Sequence, residues 1–316
     1  MTSEPRIGEM KAGLTLREMA VANFGLVVNV IAWGSFFPVL DLLLKGWDVV
    51  SATAARQVVA VIALLAILGC VKRRWPLRRG LPWGAITLLG FVGITLCSIV
   101  TTLGVYLSSP LSAAIIWAAN PVTAALVARG LYGVPLTRAI LVGAVFSVAG
   151  GILATAAGQT GRFGFGLGEL SIVVANVLWT WFSLAIQEKL AAYSQLERIA
   201  YAQLPGTVVL VATVAVIHLL GLAELKMEFS PWALAYIVYL GCVPLALGNY
   251  LWLWAVSRIG VNVASMYQNL ISVTAVLMTM WLGVYPTWQQ LAGGALILAG
   301  VIYAQKAPKG RAAPQA

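Results

Sequence analysis

The sequence predicts an all-α integral membrane protein with ten transmembrane helices, arranged as two inverted repeats of five helices each. Hydrophobic residues make up 61% of the 316-residue chain and charged residues 9%, against about half and about a quarter in soluble proteins. Ten apolar runs follow one another along the chain, and the second half repeats features of the first at a nearly constant spacing. This composition excludes an ordinary soluble domain.

The apolar runs set the predicted spans, because a helix needs about 20 mostly apolar residues to cross the hydrocarbon core of a bilayer. The first five spans are predicted at 20–42, 49–70, 82–106, 109–129 and 135–156. After a Gly-rich joint, the second five are predicted at 167–187, 197–220, 230–256, 260–283 and 286–305. Ser-Pro pairs at Ser109-Pro110 and Ser230-Pro231 are turn signals that separate neighbouring spans.

The predicted organisation has two helical units joined and flanked by polar segments. In chain order, the predicted parts are a cytoplasmic N-terminal segment (1–19), the first repeat (20–156), a joint (157–166), the second repeat (167–305) and a cytoplasmic tail (306–316). Residues 1–19 are polar and contain no short apolar core that ends in a cleavage site, so we expect the first helix to remain in the mature protein.

The basic residues predict the orientation of the chain. With the N-terminus in the cytoplasm, 16 of the 20 Lys and Arg fall in cytoplasmic segments and three fall on the opposite side. Short cytoplasmic loops are enriched in Lys and Arg, so both termini are predicted to be cytoplasmic. The net charge of +10 is therefore explained by membrane orientation, and no nucleic-acid partner is expected.

Self-comparison of the sequence indicates an internal repeat. At a spacing of 150 residues, Gly143, Ala149, Gly150 and Ile152 recur as Gly293, Ala299, Gly300 and Ile302. Pro82-Trp83 recurs as Pro231-Trp232, and weaker echoes pair Asn29 with Asn176 and Gln57 with Gln203. Because five spans is an odd number, the second repeat must cross the membrane in the opposite direction to the first. Inverted repeats of this kind are typical of secondary transporters, which bind their substrate near the middle of the bilayer between the repeats.

Several short motifs resemble one transporter family. They are Trp33-Gly34-Ser35 in the first span, Ala55-Arg56 in the second, and the Pro-started, Gly-punctuated last helix of each repeat, 135–151 and 286–300. Over about residues 20–305 the chain resembles the bacterial ten-helix drug/metabolite transporter superfamily, within it the branch that exports aromatic amino acids and methyl viologen. The resemblance implies a multi-pass protein of the bacterial inner membrane that exports small metabolites.

The chain departs from this family at one recurrent position. A Leu-Gly-Glu run often precedes the last helix of each repeat in the family, whereas Val134 and Val284 occupy the Glu positions here. No role of that Glu can therefore be transferred to this chain.

The substrate site is predicted from aromatic and polar residues near the middle of their spans. Most Trp residues lie near span ends, as interfacial residues do, but Trp33, Trp117, Trp179 and Trp181 do not. Polar residues at similar depth, including Ser98 and Asn249, either line a cavity or hold helices together. The residues predicted to contact substrate are Asn29, Trp33, Arg56, Trp117, Asn120, Asn176, Trp181, Tyr267 and Gln268.

Arg56 is the one basic residue predicted inside a span. Its side chain could snorkel to the membrane surface or bind a backbone carbonyl, and these are structural roles. The functional alternative is that its guanidinium attracts a substrate carboxylate.

These features together predict a transporter that works by alternating access as a monomer, without metal or cofactor. Its substrates are expected to be small amphipathic metabolites, with aromatic amino acids implied by the resemblance. Since the middle of the spans offers no side chain that titrates near neutral pH, facilitated diffusion is expected. The alternatives are an exporter of purines, quaternary cations or other amino acids with proton coupling, a channel, and a lipid-modifying membrane enzyme. An enzyme would need acid–base or metal-binding groups, and the predicted spans of this sequence do not offer a suitable set.

The predicted orientation can be tested with reporter fusions. Alkaline phosphatase is active only outside the cytoplasm and green fluorescent protein only inside it. A fusion after Ala316 should therefore be fluorescent and inactive as a phosphatase, because the basic loops hold the C-terminus in the cytoplasm. A phosphatase-active fusion would mean that one span has been missed or wrongly added.

Overall fold

A computed structural model describes residues 16–73, 80–133, 136, 138–155, 166–259, 267 and 270–306. Within these ranges the chain is almost entirely helical, and no strand occurs in them. The one β-type contact there is an isolated antiparallel bridge between Trp47 and Met227. The predicted all-α class is thus confirmed for the part of the chain that the structure describes.

The helices follow the predicted apolar runs. In the first half they are α1 (Leu16–Leu44), α2 (Val49–Lys72), α3 (Trp83–Leu89), the π-helix π1 (Gly90–Leu96), α4 (Cys97–Leu107), α5 (Pro110–Trp117), α6 (Asn120–Tyr132) and α7 (Arg138–Thr155). In the second half they are α8 (Leu167–Lys189), α9 (Gln195–Leu219), α10 (Pro231–Leu240), π2 (Gly241–Gly248), α11 (Asn249–Ile259), α12 (Leu270–Trp281) and α13 (Trp288–Lys306).

Several helices begin at side-chain caps that the sequence encodes. Asp48 accepts hydrogen bonds from the backbone N–H groups of Val50 and Ser51 at the start of α2. Ser109 and Ser230 cap α5 and α10 and are each followed by Pro at the first helical position. A Ser or Asp cap satisfies one of the free N–H groups at a helix start, and Pro there has no N–H to satisfy. The Ser-Pro turn signals therefore mark true helix starts.

Six helical segments are long and apolar enough to cross a bilayer. They are Arg17–Leu44, Val49–Lys72, Trp83–Leu107, Leu167–Lys189, Gln195–Leu219 and Pro231–Ala255. The pair Pro110–Trp117 and Val122–Leu131 is bent by 51° and would be a seventh if it is one broken span. Three further apolar helices, at 138–154, 270–281 and 288–304, are shorter. The described residues thus contain a multi-pass helical bundle.

The two halves interlock through matching pairs of helices. Helix α1 packs against π2 and α11 of the second half, and its counterpart α8 packs against π1 and α4 of the first. Likewise α1 packs against α12, while α8 packs against α5 and α6. The counterparts α2 and α9 lie against each other. Each of these contacts between the halves therefore has a partner contact with the roles of the halves exchanged.

Glycines hold the last helices of the two halves in close backbone contact. A Cβ atom placed on Gly143 would lie 2.7 Å from the carbonyl oxygen of Gly300, and one on Gly150 would lie 2.5 Å from that of Gly293. Since the lower-numbered residue of α7 meets the higher-numbered residue of α13, the two helices are antiparallel. Only glycine allows helix backbones to approach this closely, as at other small-residue interfaces in membranes.

Both π-helices begin at a glycine that contacts the opposite half. A Cβ on Gly90 would lie 2.5 Å from the carbonyl oxygen of Ala202 in α9, and one on Gly241 would lie 2.8 Å from that of Arg56 in α2. A π-helical turn widens the helix and shifts the register of the residues that follow. The third span of each half therefore changes its geometry where it meets the other half.

The α7–α13 contact can be tested with two adjacent glycines. Gly150→Ala should lower the melting temperature of the protein in detergent, because its methyl group would overlap the backbone of α13 at a cost of about 1–3 kcal/mol. Gly151→Ala is the matched control, since a Cβ there would have no atom within 4 Å. Thermal unfolding followed by fluorescence-detected size exclusion measures both. Equal melting temperatures for the two variants would contradict the packing described.

Candidate functional site

A small cavity lies between the two halves, where α1, α2, π1, α4 and α5 face α8, α9, π2 and α11. Its volume is about 30 Å³, so it has room for about two water molecules. The residues that line it are Trp33, Phe36, Phe37, Arg56, Gln57, Gly93, Ile94, Cys97, Ser98, Thr101, Trp117, Trp179, Gln203, Leu245 and Asn249. This lining combines a large aromatic surface with a few hydrogen-bonding groups, as ligand pockets commonly do.

Aromatic rings from three helices form one wall of the cavity. The ring centroid of Trp33 lies 5.3 Å from that of Phe36 and 6.0 Å from that of Trp179. The ring centroids of Phe37 and Trp117 are 6.1 Å apart. These distances fall in the range of favourable aromatic contacts. The wall offers flat apolar surface to a bound ring or alkyl chain.

The Arg56 guanidinium is fully buried at this cavity, where the side chain is only 1% exposed. Its Nη2 donates to the Thr102 hydroxyl at 2.7 Å and to the Ser98 carbonyl oxygen at 3.4 Å. Its Cζ atom lies 5.0 Å from the ring centroid of Phe36, which is cation–π distance. The side chain does not extend to the membrane surface. Its Nε–H is buried without a hydrogen-bond partner.

A chain of polar side chains beside Arg56 connects the two halves. Gln203 of α9 donates through Nε2 to the Oε1 atom of Gln57 in α2. Gln57 in turn donates to the Ser98 hydroxyl at 2.6 Å. The candidate residues chosen from the sequence did not include these two glutamines, although the internal repeat paired them. Their pairing across the halves was the signal that could have identified them.

The asparagines predicted to bind substrate link helices beside the cavity. Asn29 donates to the carbonyl oxygen of Gly248 in π2 at 2.7 Å. Asn120 donates to Asn176, and the Asn176 amide is 3.5 Å from the Trp117 carbonyl oxygen. Each of these side chains thus forms a hydrogen bond between helices. None of the three side chains lines the cavity in this conformation.

The remaining predicted residues lie in different places. Trp181 packs partly buried against a second apolar cluster around Phe182 and Ile186, away from the cavity, whereas Trp179 lines it. Two residues along a helix turn through about 200°, which explains why the neighbouring indoles face different surroundings. Tyr267 is partly buried against Ala22, Leu26 and Ala255, and Gln268 lies outside the described residues.

Asn249 is a further cavity residue at the first position of α11. Its side chain is 3% exposed, and its Oδ1 atom is buried without a hydrogen-bond partner. The sequence marked Asn249 only as a polar residue at the right depth. The cavity therefore contains one unsatisfied donor and one unsatisfied acceptor.

Comparison with known proteins identifies the family. The sequence matches the EamA-like transporter family over residues 20–156 and again over residues 166–304. The chain belongs to the EamA-like transporter family. The predicted resemblance to this superfamily is thereby confirmed, and so is the prediction of a multi-pass membrane protein. The family implies a small-molecule substrate.

Individual relatives of this EamA-like chain are also named as transporters. A protein of Streptantibioticus cattleyicolor named "Probable terminal-alkyne amino-acid exporter" is 31% identical over 297 residues, which cover 93% of this chain and 96% of that protein. "Uncharacterized transporter YdfC" of Bacillus subtilis is 24% identical over 273 residues, or 86% of each chain. A solved crystal structure superposes with a TM-score of 0.66 at 20% identity, covering 90% of this chain and 96% of that one, which shows a shared fold.

The aromatic wall of this EamA-like protein can be tested with adjacent tryptophans. The sequence predicts aromatic amino acids as substrates. For such a substrate, with L-phenylalanine as the probe, Trp179→Ala should lower uptake into proteoliposomes about two- to tenfold, because it removes aromatic surface from the cavity. Trp181→Ala is the matched control and should have the smaller effect, since that indole packs elsewhere. If Trp181→Ala had the larger effect at equal amounts of folded protein, the cavity would be wrongly placed.

Proposed function

We propose that this protein exports amino acids with apolar or aromatic side chains across the bacterial inner membrane. The observation that carries the proposal is the buried cavity between the halves, which joins an aromatic wall to the Arg56 guanidinium. A side chain with an apolar body fits the wall, and a carboxylate complements the guanidinium. The name of the Streptantibioticus cattleyicolor relative supports an amino-acid substrate.

The fold supports ten spans in two inverted repeats. Each of the ten predicted spans contains helix in the described residues. The counterpart helices α7 and α13 are antiparallel at their glycine contacts. Two equivalent antiparallel helices are related by an axis perpendicular to them, and such an axis lies in the membrane plane when the helices cross the bilayer. This is the symmetry of inverted-repeat transporters.

The small size of the cavity supports alternating access. A volume of about 30 Å³ is far below the several hundred Å³ that a pocket for a small organic ligand usually has. We propose that a solute binds when the two halves move apart on one side and enlarge the cavity. The glycine contacts at π1 and π2 join the halves beside the cavity, so we propose that the halves rock about them.

The nature of the lining favours a facilitative, monomeric carrier. In the described residues, the cavity is lined by aromatic, apolar and neutral polar side chains together with Arg56. Arginine keeps its proton under physiological conditions, so it does not carry protons from one side to the other. We propose that net flow follows the amino-acid gradient out of the cell. All of the described lining residues come from one chain, which supports function as a monomer.

The competing substrates fit this site less well. Quaternary cations would be repelled by a buried guanidinium at low local dielectric. Purines could stack on the aromatic wall but would leave the positive charge without an anionic partner. The buried charge therefore favours amino acids over both classes.

Proteoliposomes test the substrate class and the energetics together. Vesicles loaded with unlabelled L-phenylalanine should take up external labelled L-phenylalanine by exchange, and labelled substrate should equilibrate without accumulating when a pH difference is imposed. Empty liposomes are the control. Accumulation driven by the pH difference and abolished by a protonophore would show proton coupling. If no amino acid exchanges under any gradient, the proposed function is wrong.

A further inference from the structure

The cavity contains two buried polar atoms whose hydrogen-bonding needs the protein does not meet. They are the Arg56 Nε–H, which is a donor, and the Asn249 Oδ1, which is an acceptor. Both side chains line the same cavity, from α2 of the first half and α11 of the second. Buried polar groups in proteins nearly always have partners, so two unsatisfied atoms on residues that line one cavity point to a ligand that supplies both.

We propose that Arg56 and Asn249 form a zwitterion site, in which Arg56 binds the α-carboxylate of the substrate and Asn249 accepts a hydrogen bond from its α-ammonium. This inference rests on the proposed export of amino acids and adds which atoms select them. It makes both charged groups of the substrate necessary for binding.

The carboxylate end is assigned to Arg56 by its positive charge and by its free donor. Nη2 is already used by Thr102 and Ser98, and the Phe36 ring contacts the guanidinium at Cζ. The Nε–H has no partner among the described residues and so can still donate to an anion. A buried positive charge with incomplete hydrogen bonding is costly, and a carboxylate is the natural partner that offsets this cost.

The ammonium end is assigned to Asn249 because a primary ammonium has donors and no acceptor. An amide oxygen accepts such a donor without adding a charge. The site therefore presents one positive charge and a neutral acceptor, which together suit a molecule with one carboxylate and one ammonium. A fixed carboxylate in place of Asn249 would instead neutralise Arg56 and weaken the attraction for the substrate carboxylate.

Arg56 and Asn249 lie on opposite halves, and this location gives the site a role in transport. A zwitterion held at both ends would connect α2 to α11 across the cavity. The Gln57–Gln203 hydrogen bond connects α2 to α9 in the same region. Substrate binding would therefore add a link between the halves, so the substrate could favour the state in which they are drawn together.

Analogues that lack one charged group test the proposal on the unmodified protein. The probes are L-phenylalanine, 2-phenylethylamine, which lacks the carboxylate, and 3-phenylpropionate, which lacks the ammonium. Each is used to inhibit uptake of labelled L-phenylalanine into proteoliposomes. Each analogue should inhibit at least about tenfold more weakly than L-phenylalanine, because a hydrogen bond to a charged group contributes that much to affinity. Equal inhibition by all three would overturn the zwitterion site.

Two variants assign each charged group to its residue. Arg56→Gln should remove the preference for L-phenylalanine over 2-phenylethylamine, and Asn249→Leu should remove the preference over 3-phenylpropionate. Arg56→Lys and Asn249→Asp, which keep a cation and an acceptor, should keep more of the respective preference. Arg258→Gln removes the same charge from a half-exposed position beside Trp254 and should leave both preferences unchanged.

Different results of these experiments would contradict the zwitterion site and the proposed function. If labelled L-phenylalanine and labelled L-propargylglycine, an alkyne amino acid, both fail to enter the vesicles, the proposed function itself is contradicted. If L-phenylalanine is transported but Arg56→Gln weakens all three probes equally, Arg56 has only a structural role and the zwitterion site is wrong. Where a variant does not give a monodisperse peak in size exclusion, the comparison of the three probes on the unmodified protein decides.

Discussion

The close approach of helix backbones between the two halves is the constraint on which the rest of this structure depends. At Gly90, Gly150 and Gly241, a single added methyl group would lie within 2.8 Å of a backbone oxygen of the opposite half. Lipid is as apolar as the side chains that face it, so burial of apolar surface does little to join helices in a membrane. Van der Waals contact at these glycines therefore supplies much of the attraction between the halves, and it fixes where the cavity can form.

Polar side chains complete the association that the glycines begin. Gln57 and Gln203 pair across the halves, and Asn29 binds a backbone oxygen of π2. In hydrocarbon each of these groups would be costly without a partner. In contrast, Arg56 and Asn249, which line the cavity, each keep one buried polar atom without a hydrogen-bond partner. Of the buried polar atoms without a partner in the described residues, these are the two on residues that line the cavity.

The helices of this chain repeat between the two halves, but not all residues of the cavity do. The helices pair across the halves in matching sets, yet the alignment that pairs Gln57 with Gln203 places Ala202 opposite Arg56. The reciprocal helix contacts can support two equivalent states, one open to each side, as alternating access requires. A cation supplied by one half alone gives the cavity a direction for an asymmetric substrate. In the proposed mechanism, the symmetric contacts would support the movement and the asymmetric position of Arg56 would support recognition of the substrate.

The sequence by itself determined the helical class, the transporter family and the repeat, because each depends on patterns along the chain: apolar run length, short motifs and recurring glycines. It also placed Trp33, Arg56 and Trp117 among the candidate residues, and all three line the cavity. Only the tertiary structure showed that Trp179 rather than Trp181 faces the cavity and that Asn29 links two helices. Depth in a span can be counted along the chain, whereas the direction of a side chain depends on how each helix is rotated against its neighbours. That rotation is set by contacts between residues far apart in sequence, such as Gly90 with Ala202 and Gly241 with Arg56.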